Sequence, residues 1–131
     1  MRRTQRATVG TIFGVLFLLI GTVFFASDIK ADDTTQIPVP GKVTMVDLGA
    51  KKCIPCKMMA PIMEALEKEY KDRAAIIFID VWENPQAGQK FGIQIIPTQI
   101  FYDAEGKEVL RHQGFMDKDA IVAELTKLGV K

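Results

Sequence analysis

Two cysteines three positions apart, Cys53 and Cys56, constrain this chain more than any other feature. They are the only cysteines among 131 residues and lie within the lysine-rich stretch 51–57. Alternating apolar residues precede them at positions 43–48, and apolar residues at helical spacing follow them at positions 58–70. This pattern predicts a strand before the pair and a helix after it. A Cys-x-x-Cys pair at such a junction is typical of thiol–disulfide exchange.

Composition argues against several other classes of function. The net charge is +1 and the sequence has no basic patch, which argues against a nucleic-acid partner. Two cysteines are too few for a disulfide scaffold, and the single histidine, His112, does not complete a four-ligand zinc site. We therefore expect no metal and no cofactor beyond the redox-active Cys53–Cys56 disulfide.

Residues 1–27 are predicted to be a transmembrane anchor. Positions 7–26 are twenty uncharged residues, enough to cross a hydrocarbon core of about 30 Å. Three arginines precede them and favour a cytoplasmic amino terminus. We expect a single-pass protein of the bacterial inner membrane whose domain faces the periplasm. The alternative is a cleaved signal peptide, but cleavage after Ala26 would put Phe24 at the −3 position, which such peptides disfavour.

The remainder divides into a linker, residues 28–42, and one domain, residues 43–131. The linker is polar and then proline-containing, and its stiff end is expected to lie along the domain. In the domain, the continuous apolar run 74–81 predicts a central buried strand. The complete pattern predicts the order β-α-β-α-β-β-α, an α/β fold with a mixed sheet and helices on both faces.

Cys53 is the expected catalytic nucleophile and Cys56 the resolving thiol. The sulfur of Cys53 would lie at a helix amino terminus, where the helix dipole stabilises a thiolate. Lys51, Lys52 and Lys57 add positive charge. Both effects lower a thiol pKa from its usual value of about 8.5. The alternatives are a structural disulfide or two unrelated buried thiols.

Asp47 interrupts the apolar strand six residues before Cys53. A buried carboxylate there could accept the proton of Cys56 during resolution, because burial raises the pKa of a carboxyl group. The alternative is an aspartate that caps a turn or is solvated at the strand end.

Several separate motifs together resemble the thioredoxin superfamily over residues 43–128. The matching residues are Val46-Asp47, Cys53-Ile54-Pro55-Cys56-Lys57-Met58, Ala60-Pro61, Asn84-Pro85, Phe91-Gly92-Ile93, Ile96-Pro97-Thr98, Gly106 and Gly114. The resemblance implies a three-layer sandwich around a central mixed sheet. Because only a short linker precedes residue 43, we expect the amino-terminal βα unit of the family to be absent or reduced.

The resemblance also implies a substrate-binding surface. It implies a cis peptide bond between Ile96 and Pro97, in a loop facing the cysteines, with the backbone of Ile96 pairing with substrate peptide. We assign Ile54, Pro55 and Trp82 to the same surface. The alternative for Pro97 is an ordinary trans proline at the start of a strand.

Four positions depart from the family pattern. Lys52 and Gly49 stand where tryptophans are usual, Phe78 replaces a lysine found near the buried acid, and Trp82 replaces an acidic residue. We hypothesise that Trp82 fills the space left by the missing tryptophans; ordinary core packing is the alternative.

These observations predict an extracytoplasmic thiol–disulfide oxidoreductase that acts on protein thiols and disulfides. We favour a reductant, for example in cytochrome c maturation, that receives electrons from a membrane thiol transporter. A disulfide oxidase or isomerase is the alternative within the class. From other classes, the alternatives are a copper(I) site formed by the cysteines and a neighbouring methionine, and a module that only holds substrate.

Overall fold

The computed structural model describes residues 36–131. The predicted anchor, residues 1–27, and most of the predicted linker lie outside this part. Within the described residues, no helix is both long enough and apolar enough to cross a membrane.

Residues 36–131 form four strands and three helices in the predicted order. The elements are β1 (Thr44–Gly49), α1 (Ile54–Tyr70), β2 (Ala75–Asp80), α2 (Pro85–Lys90), β3 (Thr98–Tyr102), β4 (Glu108–Gln113) and α3 (Lys118–Lys127). Side-chain oxygens cap the second and third helices: Asn84 accepts from the N–H of Ala87, and Asp117 accepts from that of Ala120. These caps satisfy N–H groups that a helix start leaves free.

The sheet has the order β2-β1-β3-β4 and is mixed, as predicted. β1 runs parallel to β2 and antiparallel to β3, and β3 pairs with β4 as an antiparallel hairpin. The parallel pair needs a crossover connection, which α1 supplies. As a result, the carboxyl ends of β1 and β2 lie side by side, with Gly49 opposite Asp80.

Two apolar layers enclose this sheet. On one face, Met45 and Phe101 pack with Met59 and Leu66 of α1 and with Ile121 of α3. The opposite face holds a second cluster, formed by Val46, Leu48, Ile100, Ala87 and Phe91, where the last two belong to α2 and its carboxyl end. Successive strand residues point to opposite faces, so the alternating pattern of β1 supplies both layers. The three-layer arrangement predicted from the sequence is confirmed.

The prediction that residues 74–81 form a central strand was wrong. β2 is an edge strand of the described sheet, and only Ala74 at its start is buried. A groove of about 760 Å³ runs beside it, lined by residues that include Ile77, Ile79 and Phe91. The apolar run reflects contacts above and below the strand, and such contacts carry no information about its lateral neighbours.

The described end of the linker packs against the domain, as its proline content suggested. Ile37 contacts the second apolar cluster. The N–H of Val39 donates to Thr44 Oγ1 at 3.1 Å, and that of Gly41 donates to the carbonyl of Ala104 at 3.2 Å. Residues 36–43 contain no helix or strand before β1.

Candidate active site

Cys53 and Cys56 form a disulfide at the amino end of α1, with Cα atoms 5.2 Å apart. Cys53 is the N-cap residue, and its sulfur accepts a hydrogen bond from the N–H of Cys56 at 3.4 Å. Cys56 is only 3% exposed, whereas Cys53 is half-buried. An incoming disulfide or thiol therefore meets Cys53 first.

The first turn of α1 favours negative charge on the sulfur of Cys53. It contains no acidic residue, and Pro55 occupies a position where a missing N–H leaves no hydrogen bond unmade. The unpaired N–H groups and the helix dipole there stabilise a thiolate once the disulfide is reduced.

The charge around Cys53 is smaller than the three nearby lysines suggested. Lys51 Nζ forms a salt bridge with Glu83 at 2.9 Å, which raises the pKa of that lysine. Asp80, at the end of β2, accepts the backbone N–H groups of Lys51, Trp82 and Glu83 at 2.9 to 3.1 Å. These bonds, led by that from Lys51, lower the pKa of Asp80. The bond from Lys51 links the end of β2 to the loop that precedes Cys53.

Neither Asp80 nor Glu83 was among the residues predicted for the site. A signal was present for Asp80, because an aspartate at a strand end commonly accepts the N–H two residues later. Nothing local indicated the pairing of Glu83 with Lys51, which lies 32 positions away.

Asp47 is completely buried on β1. Its Oδ1 accepts a hydrogen bond from Gln99 Nε2 of β3 at 2.8 Å. Burial raises the pKa of Asp47 to about 6, and the bond from Gln99 partly opposes this increase. The alternative of a solvated or turn-capping aspartate does not hold. Gln99 is a residue of the site that sequence analysis missed, because a single polar residue in a strand pattern indicates an outward-facing position as readily as a buried one.

Gly49 lies on the same face of β1 as Asp47 and close to the disulfide. Residues two apart on a strand share a face, so Asp47 lies on the side of β1 to which a side chain at position 49 would point. A Cβ at position 49 would lie 3.3 Å from Cys56 Sγ and 3.2 Å from the ring of Phe78. Phe78 is paired with Asp47 across β1 and β2. Asp47, Phe78 and Cys56 therefore line one region.

The loop before β3 lies beside the same end of β1. Thr98 pairs with Leu48, so Pro97 follows in register beside Gly49. The Ile96–Pro97 peptide bond is cis, as the resemblance implied. Pro97 is buried and its carbonyl accepts the N–H of Gly114 at 2.8 Å. Ile96 remains half-buried.

Large apolar side chains are exposed at the amino end of α1, in the loop after β2 and in the loop before β3. Ile54 is 76% exposed, Trp82 59% and Ile95 51%. Pro55 is also exposed. Core packing, the alternative considered for Trp82, is therefore wrong. Its hypothesised role in filling space beside the disulfide stays a prediction. Phe78 is the aromatic side chain that lies within contact distance of a Cβ at position 49.

The described residues offer few metal ligands. Between positions 36 and 131, no three His, Cys, Asp or Glu side chains form a group that could hold a metal ion.

Comparison with known proteins identifies the family. The thioredoxin family profile matches residues 28–127. Thioredoxin of Chlamydia muridarum is 35% identical over 99 residues, covering 76% of this chain and 95% of that protein. Thioredoxin of Staphylococcus saprophyticus is 37% identical over 101 residues, covering 77% of this chain and 92% of that protein.

Solved structures agree with this similarity. Thioredoxin NaTrxh from Nicotiana alata superposes with a TM-score of 0.58 at 38% identity, covering 66% of this chain and 73% of that one. The exposed lipoprotein thioredoxin of Streptococcus pneumoniae superposes with a TM-score of 0.59 at 25% identity, covering 66% and 85%. This chain belongs to the thioredoxin family, and its Cys53–Cys56 pair makes it a thioredoxin-like protein-disulfide oxidoreductase.

Proposed function

We propose that this protein is a membrane-anchored thioredoxin that exchanges disulfides outside the cytoplasm, using Cys53 as the nucleophile. The observation that supports this chemistry is the difference in exposure between the two cysteines. Cys53 is half-buried at a helix amino terminus, whereas Cys56 is buried. The uncharged stretch 7–26, preceded by three arginines, supports an anchor with the domain on the periplasmic side. Similarity to an exposed lipoprotein thioredoxin also supports this location.

The reaction has two steps. First, the Cys53 thiolate attacks a substrate disulfide, forms a mixed disulfide and releases one substrate thiolate. The Cys56 thiolate then attacks Cys53 Sγ, which forms the Cys53–Cys56 bond and releases the second substrate thiolate. Two electrons pass from the protein to the substrate, and the reverse sequence oxidises a dithiol.

Asp47 is the proton acceptor for Cys56 in this proposal. It lies on the face of β1 that meets Cys56, and burial places its pKa at about 6. A carboxylate with such a pKa is mostly ionised at neutral pH and binds a proton more readily than an exposed aspartate. In this proposal the proton passes from the thiol of Cys56 to the carboxylate of Asp47 directly or through one water.

Substrate contacts come from the exposed residues around Cys53. The backbone of Ile96, beside the cis Pro97, pairs with an extended substrate segment, and Ile54, Pro55 and Trp82 provide apolar area. Exposed aromatic and aliphatic side chains are suited to such contacts because they bury large areas on binding.

We favour reduction as the physiological direction. A tethered domain with its thiols outside the cytoplasm needs an electron donor in the membrane, for which a thiol transporter is the expected class, and cytochrome c maturation is one process that consumes such electrons. Oxidation or isomerisation of disulfides is the alternative, since direction depends on reduction potentials relative to partners.

Trapping in native membranes tests the proposal. Cys56→Ser should accumulate mixed disulfides through Cys53, because the resolving step is removed, and mass spectrometry should identify extracytoplasmic proteins as partners. Cys53→Ser is the matched control and should trap none. Equal trapping by both variants, or partners drawn only from the cytoplasm, would contradict the proposal.

A further inference from the structure

Asp47 and Gln99 form an isolated polar pair inside the domain. They face each other across β1 and β3, and both side chains are completely inaccessible to solvent. A single hydrogen bond of 2.8 Å joins Gln99 Nε2 to Asp47 Oδ1. Burying two polar groups for one bond is unfavourable unless their other atoms also find partners.

Two atoms of this pair lack a partner among the described residues: Asp47 Oδ2 and Gln99 Oε1. Both are acceptors when Asp47 is ionised, so neither can satisfy the other. A proton on Oδ2 changes this, because the resulting hydroxyl can donate to Oε1. The neutral acid and the amide would then be joined by two hydrogen bonds.

We propose that Gln99 is the positioning residue for proton transfer in this thioredoxin. Its amide N–H holds Asp47 through Oδ1, which leaves Oδ2 as the atom that takes the proton from the thiol of Cys56. Its carbonyl then accepts a hydrogen bond from that proton. No electrons move in this step: the S–H bond breaks, an O–H bond forms, and Cys56 becomes the thiolate that attacks Cys53. The inference rests on the proposed role of Asp47.

The surroundings contain few other groups that exchange protons. Across β2 the neighbour of Asp47 is Phe78, and α1 presents Cys56 and Met59 to this face. His112 pairs with Gln99 on β4, and its Nε2 lies 3.2 Å from the carbonyl of Phe115. The charged residues of α1 and α3 are at least partly exposed to solvent. Cys56 and His112 are therefore the ionisable side chains that neighbour the pair.

Gln99→Met tests the proposal in the full chain, because methionine keeps the length of the side chain and removes both its donor and its acceptor. The titration of Asp47, followed by carbon NMR of its carboxyl, should move upward, because the hydrogen bond from Gln99 lowers the pKa of Asp47 in the native protein and the variant lacks that bond. The carbonyl infrared band of protonated Asp47, assigned by difference from Asp47→Asn, should move to higher frequency. The pH dependence of mixed-disulfide resolution should move with the titration.

Two further variants keep the test decisive. Ile100→Val removes one methylene from the opposite face of β3 and should move none of these readouts. Gln99→Glu should make the pair retain one proton at a pH where the native protein has released it, because two adjacent carboxyl groups disfavour double ionisation.

The two proposals fail in different ways. An unshifted titration of Asp47 in folded Gln99→Met, or an unmoved infrared band, would overturn the role of Gln99. So would a shifted titration with an unchanged pH dependence of resolution. Asp47→Asn with the native resolution rate would instead contradict the role of Asp47, while the titration in Gln99→Met would still report on the hydrogen-bonded pair.

Discussion

The backbone of Gly49 lies directly against the side chain of Cys56. A Cβ at position 49 would stand 3.3 Å from both Cβ and Sγ of that cysteine, and 3.2 Å from Cε2 of Phe78. A tryptophan, which the family usually has at this position, has no room here. Phe78 of the neighbouring strand and the side chain of Cys56 both border the space that a side chain at position 49 would occupy.

Gly49→Ala should destabilise the oxidised protein by about 1–2 kcal/mol, because overfilling a packed site forces its neighbours apart. Phe78→Leu should relieve part of this cost, since it removes the contact with the ring while the two contacts with Cys56 remain. Urea denaturation of the two single variants and the double variant measures the coupling. Additive effects would contradict the packing of Phe78 against position 49.

Asp47→Asn should stabilise the oxidised protein at neutral pH. Burial raises the pKa of Asp47 from 3.8 to about 6. The protonated carboxyl therefore makes its full contribution to folded-state stability below pH 3.8, and this contribution is lost as the pH rises through 6. At about 1.4 kcal/mol per unit, the loss approaches 3 kcal/mol. Asparagine resembles the neutral acid and avoids this loss.

Urea denaturation across this pH range gives the measurement. The variant and the native protein should have similar free energies of unfolding near pH 3.5, and the variant should gain its full advantage above pH 7. Equal stability at all pH values would show that the carboxyl of Asp47 is not buried as described.

Much of the fold was predictable, because apolar periodicity is a local property. The spacing at Met59, Met63 and Leu66 indicated α1, and all three residues are buried on the face that packs against the sheet. The cysteine pair, Pro55 between the two cysteines and the buried Asp47 were also identified, since each is an exception to the pattern around it.

Other features depend on contacts between distant residues and were not predictable. The pairing of Asp47 with Gln99 spans 52 positions, and that of Lys51 with Glu83 spans 32. The edge position of β2 depends on which strands lie beside it, and no pattern within residues 74–81 contains that information. The candidate catalytic residues were thus easier to predict than the residues that contact them.

Glu83→Gln should lower the pKa of the Cys53 thiol by a few tenths of a unit. The substitution removes a negative charge from the loop and releases Lys51 from its salt bridge. Both changes favour a thiolate, although the effect is small because these side chains are exposed. Thiolate absorbance of the reduced protein as a function of pH gives the value. Glu105→Gln, an equal charge change in the β3–β4 turn, is the control and should have no effect.

Trp82 should report the redox state of the disulfide. It is the only tryptophan in the sequence. The carboxylate of Asp80 accepts hydrogen bonds from the backbone N–H groups of both Trp82 and Lys51. Reduction should change its fluorescence intensity, because a nearby disulfide quenches an excited indole. A variant with both cysteines replaced by serine should not respond to reductant. An unchanged spectrum in the native protein would place Trp82 away from the cysteines.

Reduction of insulin by the full chain, with dithiothreitol as the electron source, tests the central claim most directly. The native protein should accelerate insulin reduction well beyond dithiothreitol alone, and Cys53→Ser should abolish the acceleration, because Cys53 carries the attacking sulfur. A folded native protein with no acceleration would contradict thiol–disulfide exchange, and tight copper(I) binding by that inactive protein would favour a metal site formed by the same cysteines.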